Sequence, residues 1–235
     1  MLMEGGMLLL HHKRMICMDR RSVFPTNENR TNTMNEETHS KLMAIKQSFR
    51  LFMDGTTSRS MTQKGMGYKI NWGVPFHELR KMALPYAPDF NLAIELWKEH
   101  IRECKIMATL IMPPERMSAD LADVWTELPL SQEMAEMLAF NLLQHVDFAP
   151  TLAYQWMASD RTDRQICAYQ LLARLFMKGN APNQRGLDEY MDQVGSALQS
   201  ENLGVRHAAM ASLQKLALLG NDYEQRASEL LAGMK

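Results

Sequence analysis

Valine and isoleucine are scarce in this chain, six and eight among 235 residues. β-Branched residues favour pleated sheets, whereas Met, Leu, Ala, Glu, Lys, Gln and Arg, which fill most of the sequence, favour helices. The chain is therefore predicted to be nearly all helix. Cysteine is also scarce: Cys17, Cys104 and Cys167 are odd in number and widely scattered. That argues against a disulfide framework and for a reducing compartment, taken here as the cytoplasm. No CxxC or close Cys/His quartet is present, so no metal site is expected. No apolar run approaches the 18 residues a membrane-crossing helix needs, so no membrane association is expected. A P-loop, a nucleophile elbow and a dinucleotide fingerprint are all missing, which disfavours an enzyme of the classes those motifs mark. Nor is there an excess of one charge, since 26 Lys+Arg face 27 Asp+Glu. Nucleic-acid binding would need a local basic patch.

What is present divides in two. Residues 1–34 hold six of the 21 methionines, a basic stretch at His11 to Arg14 and a polar run from Pro25 to Thr33, with no sustained 3.6-residue period. They read as a disordered extension. A signal peptide is disfavoured because the apolar segment Met7 to Leu10 is too short and basic residues follow it. Patterning that opens at Met34 also fits a start codon assigned too early. This leading segment carries 5 Lys+Arg and 3 Asp+Glu, leaving residues 35–235 with 21 and 24. A slightly basic tail thus precedes an acidic helical domain.

From residue 35 the helix signals follow one another closely. Leu42, Ile45, Phe49 and Phe52 share one face of a first helix that ends at Asp54-Gly55. A glycine-rich loop is predicted over Gly55 to Gly73. Pro75 suits the first turn of a helix carrying Leu79 and Met82, Asp89 caps a helix through Trp97, and another runs from about Ile101 to Met112. Ser118 and Ser131 are caps for two more, the second reaching His145. Five further helices are predicted near 149–158, 163–178, 186–200, 203–219 and 222–234, with Gly179 and Gly220 as stops.

Helices this short must pack in antiparallel pairs. Four of them share a charged anchor, a small residue three later and an apolar residue seven later: Lys105/Ala108/Met112, Glu136/Ala139/Leu143, Arg164/Cys167/Leu171 and Arg206/Ala209/Leu213. A small residue lets neighbouring helices approach, and the residue at +7 fills the next turns of the same face. The expected fold is all-α, an α-solenoid of HEAT-like antiparallel helix pairs, with an ordinary helical bundle as the alternative.

Gly73-Val74-Pro75-Phe76-His77-Glu78-Leu79-Arg80, Leu96-Trp97 with Arg102-Glu103-Cys104-Lys105-Ile106-Met107-Ala108, and Trp156-Met157-Ala158-Ser159 leading to Arg164 resemble the AlkD-like DNA alkylation repair glycosylases, a HEAT-like family. The resemblance covers roughly residues 40–232. It implies release of an alkylated base by cleavage of its N-glycosidic bond, with DNA as partner and no metal or organic cofactor. In that family an aspartate stabilises the sugar and an arginine holds phosphate; here Asp147 and Arg164 fall nearest those positions.

The residues admit other roles. Asp147 is a candidate catalytic carboxylate or the N-cap of the next helix. His145 is an acid/base candidate or a helix-end residue facing the dipole. Arg164 and Arg206 could hold phosphates or bond neighbouring helix ends, and Lys105 is a phosphate candidate. In the predicted loop, Arg59, Lys64, Tyr68, Lys69 and Trp72 interleave positive charge and rings, with Tyr68 and Trp72 as stacking groups, or else simply pin the loop to the core. Trp97, Trp125 and Trp156 are either DNA-facing rings or packing. The resulting expectation is DNA bound in a concave helical groove, with base excision if the protein is an enzyme. The alternative is a non-catalytic scaffold that binds protein or nucleic acid.

Overall fold

A computed structural model describes residues 35–64, 66 and 68–234. The predicted extension over residues 1–34, with Cys17, lies outside the described residues. Twelve α-helices are present among those described: α1 Glu36–Ser48, α2 Gly55–Gln63, α3 Phe76–Ala83, α4 Phe90–Lys98, α5 Arg102–Ile111, α6 Ala119–Trp125, α7 Gln132–Asn141, α8 Ala149–Met157, α9 Thr162–Met177, α10 Gln184–Leu198, α11 Leu203–Ala217 and α12 Asn221–Gly233. No β-strand occurs among the described residues; one isolated parallel bridge joins Ile70 to Ile101. No described helix is long and apolar enough to cross a membrane.

Local chemistry explains where several of these helices start. The Asp89 carboxylate accepts the Leu92 amide at 3.0 Å, and the Ser118 and Ser131 hydroxyls accept the Leu121 and Met134 amides at 3.1 and 3.2 Å. One expectation fails for the same reason. Residues 55–63 form α2 rather than a loop, because Asp54 begins a helix as well as ending one: its carboxylate accepts from the amides of Thr56 and Thr57 and from the Thr57 hydroxyl. Asp-Gly reads as a stop when only the preceding segment is considered. The hydroxyls that follow it make it a start.

Tertiary order comes from the small residues. Four inner helices, α5, α7, α9 and α11, lie side by side in chain order, and α4, α8, α10 and α12 pack outside them. Ala108, Ala139, Cys167 and Ala209 are fully buried where the inner helices meet. Cys167 contacts the backbone at Ala139. At Gly204 a Cβ would stand 2.7 Å from Gln132 Oε1 and 3.0 Å from an Ile166 methyl, so α11 runs close to its neighbours there. Met112, Leu143, Leu171 and Leu213, the residues at +7, are buried beside them. This is an α-solenoid of helix pairs, the predicted class.

The segment before α3 is held by the first inner helix. Glu103 is fully buried, and its carboxylate accepts the backbone amides of Trp72 and Val74. Arg102, also buried, donates to Glu103, to the Val74 carbonyl and, through Nε and Nη2, to Glu133 on α7. Gly73, at φ +71°, sits where a Cβ would come 2.2 Å from the Asp54 carbonyl oxygen, so the turn admits only glycine.

Candidate nucleic-acid interface

The inner-helix anchors lie in the first turns of α5, α9 and α11, where each inner helix meets the ends of outer helices. A helix C-terminus leaves carbonyls without intrahelical partners and carries partial negative charge, so a cation is favoured there. Lys105 Nζ donates to the Trp97 carbonyl at 2.8 Å. Arg206 donates to the carbonyls of Ser200 and Glu201, just beyond α10. Arg164 reaches Thr126 Oγ1 at 3.1 Å and Asp123 Oδ1 at 3.0 Å, both at the end of α6. Arg161, at the N-cap position of α9, donates to the Thr126 and Glu127 carbonyls and pairs with Asp163. Burial opposes charge on Asp163, but hydrogen bonds from Arg161 and from the Leu130 amide outweigh it and hold the carboxyl below its ordinary range.

One such junction is open. Between the end of α4, the first turn of α5, the end of α6 and the start of α7 lies a cavity of about 530 Å³. Its wall is aromatic: Trp97 and Trp125 stack with centroids 4.2 Å apart and planes 7° from parallel. Lys105 stands 4.4 Å from the Trp97 ring centroid and also borders the space. Around it are Lys69, Lys98 and His100, with Glu127 as the one carboxylate of the lining. Lys98 pairs with Glu95 at 2.7 Å, an exposed contact of the kind that is readily exchanged. Burial pushes the Lys105 ammonium below the ordinary lysine range. An acidic chain thus carries a locally basic cavity with aromatic walls.

Three of the predicted site residues meet here: Tyr68, Lys69 and Lys105. The Tyr68 hydroxyl is committed, at 2.6 Å from Ser131 Oγ and donating to Glu133 at 2.9 Å, so the ring is a fixed wall rather than a mobile stacking group. Burial, with Glu133 nearby, pushes its pKa up, so it stays a neutral phenol. Trp72, Arg164, Arg206 and Asp147 are not part of the lining. Trp72 is anchored by its amide on Glu103. Arg164 and Arg206 spend donors on helix ends, the second of the two roles their positions allowed. Asp147 is exposed, and the N-cap position of α8 is Phe148, so Asp147 does not cap that helix. His145 closes a 3-10 turn at Leu143–His145, its pKa lowered by partial burial and by Lys178. Trp97, Trp125 and Trp156 are buried packing residues, although the first two also face the cavity.

Sequence reasoning does not single out Lys98, His100 or Glu127. Trp97-Lys98-Glu99-His100 shows the same interleaving of ring and positive charge as residues 59–72, but it lies at a helix end. On the inner helices, Glu136, Met137, Phe140, Gln170 and Arg174 line a second, smaller space of about 180 Å³, with Arg174 4.5 Å from the Phe140 ring centroid. No group of three or more His, Cys, Asp or Glu side chains suited to a metal ion occurs among the described residues. Cys104 and Cys167 are buried free thiols; burial pushes Cys104 up to about 12, far from a nucleophilic thiolate.

No protein-family model matches this chain, and neither does any curated protein. A solved structure does. It is described as "A new family of proteins related to the HEAT-like repeat DNA glycosylases with affinity for branched DNA structures", and it aligns with a TM-score of 0.73 at 18% identity over 80% of this chain and 81% of that one. The fold is HEAT-like. The helix-end cations fit that architecture, in which each repeat is held chiefly by its neighbours.

Proposed function

We propose that this HEAT-like protein binds DNA, engaging the phosphate backbone at the basic cavity between α4, α5, α6 and α7. The observation that carries the reading is the meeting of Lys69, Lys98 and Lys105 around the stacked Trp97 and Trp125, against a single lining carboxylate. Lysines supply the sequence-independent, salt-sensitive part of such binding, and rings supply base contacts. Further support is that the similar solved structure comes from proteins described as having affinity for branched DNA. Cleavage of an N-glycosidic bond would need a carboxylate beside the bound sugar. Asp147, which lies nearest the aspartate of the family that the sequence resembles, is outside the cavity lining, and the one carboxylate in it, Glu127, matches no catalytic position of that family, so the proposal is binding.

The test is fluorescence anisotropy of the full chain with a duplex, a fork and a four-way junction across a salt series. Lys69→Glu/Lys98→Glu is expected to weaken binding at least tenfold and to make the log–log salt slope shallower by about 0.9 for each phosphate that the variant no longer neutralises. Arg226→Gln, on α12 and paired with Asp188, is the control. A double variant that binds like the control would overturn the assignment. Release of a methylated purine from duplex DNA, abolished in Asp147→Asn, would instead establish the enzyme.

A further inference from the structure

The geometry points to a more specific ligand for this cavity: one unpaired nucleotide of a DNA strand, its base against Trp125, Tyr68 and the apolar lip and its phosphates against Lys69, Lys98 and Lys105. This rests on the DNA-binding reading above. A volume of about 530 Å³ lies within the range of sites that enclose small ligands. Paired DNA offers a protein its phosphates and groove edges, while the faces of its bases are covered by stacking. A site for paired DNA alone has no use for an aromatic interior. An unpaired nucleotide presents a phosphate and a free π-face together, which matches a basic rim over an indole wall.

The lip of the cavity adds a second observation. Val124 is 62% exposed and Leu128 70% exposed, and both belong to the lining. An inserted base would cover these apolar side chains, whereas a free phosphate would leave them in water. The signs of charge agree, because three lysines face one glutamate and a nucleotide brings at least one negative charge. Glu127 places a hydrogen-bonding group in the same lining for a base edge or sugar hydroxyl.

The experiment uses the full chain and three labelled DNAs of one sequence: a paired duplex, the duplex with one unpaired 2-aminopurine, and the same bulge with its base removed. The base-bearing bulge is expected to bind at least fivefold more tightly than the abasic bulge, the low end of what stacking one base on an aromatic ring contributes, with quenching of 2-aminopurine emission. Val124→Trp fills the cavity from an exposed position and is expected to erase the preference for the base-bearing bulge. Leu128→Trp does the same from the loop should the first variant fail to fold. Equal affinity for the two bulges, with binding still weakened by Lys69→Glu/Lys98→Glu, overturns the nucleotide assignment and leaves the DNA reading standing. A preference that survives in a folded, filled variant places the base elsewhere and overturns this site. Failure to bind any of the three DNAs overturns both readings.

Discussion

Arg102→Met is the substitution to which the architecture is most exposed. Arg102 is 3% exposed, Glu103 is fully buried, and Glu133, on which Arg102 places Nε and Nη2, has a side chain 17% exposed. Methionine keeps most of the aliphatic stem but removes the charge and every donor. Glu103 then retains only the Trp72 and Val74 amides, while Glu133 has partial access to water. Removing one member of a buried ion pair costs about 3–5 kcal/mol, because the partner remains buried and uncompensated. The solvent open to Glu133 and the amides left to Glu103 put the expected loss near the lower end, about 3 kcal/mol. In a domain of this size that is a fall in Tm of about 6–12 °C, at 2–4 °C for each kcal/mol. Urea unfolding followed by circular dichroism should show a lower midpoint at an unchanged slope. Arg102→Met/Glu103→Gln removes the orphaned charge and should recover at least about 1 kcal/mol of the loss, a coupling that a double-mutant cycle reads directly. A single variant that costs less than about 1 kcal/mol, or a double variant whose effects merely add, would refute the account of this pair as one charged unit.

Two other outcomes follow from the same structure. Because burial lowers the Lys105 pKa, its charge is lost at a lower pH than that of an ordinary lysine. DNA affinity should therefore begin to fall below the usual lysine range of about 10.4, and Lys105→Arg, which stays charged, should flatten that alkaline limb. The sign for stability is opposite: burying the protonated form is the unfavourable state, so raising the pH through the lowered pKa relieves that cost. Gly73→Ala should cost about 2 kcal/mol or more, since φ +71° is strained for alanine and its Cβ would overlap the Asp54 carbonyl; unchanged urea stability would refute this.

The helices are legible in the sequence wherever their signals are local. Asp89, Ser118 and Ser131 cap the helices they precede because a cap is a contact across three residues. The small-residue positions 108, 139, 167 and 209 mark the inner helices because close helix packing excludes large side chains there. Asp54 misleads because its stop signal and its cap signal use the same residue, and only the amides of Thr56 and Thr57 decide between them.

Helical class and the repeat of paired helices are thus set by the chain alone, through intrinsic propensity and a pattern of period 3.6. The binding cavity is not. Lys69, Lys98 and Lys105 meet Trp125 only because α4 and α6 end side by side against α5, and no spacing within the sequence encodes that junction. The arginines show the same limit from the other side. Sequence makes Arg164 and Arg206 candidates for phosphate, and tertiary structure gives donors of both to helix ends, where the Thr126 hydroxyl and Asp123 carboxylate take Arg164 and the Ser200 and Glu201 carbonyls take Arg206.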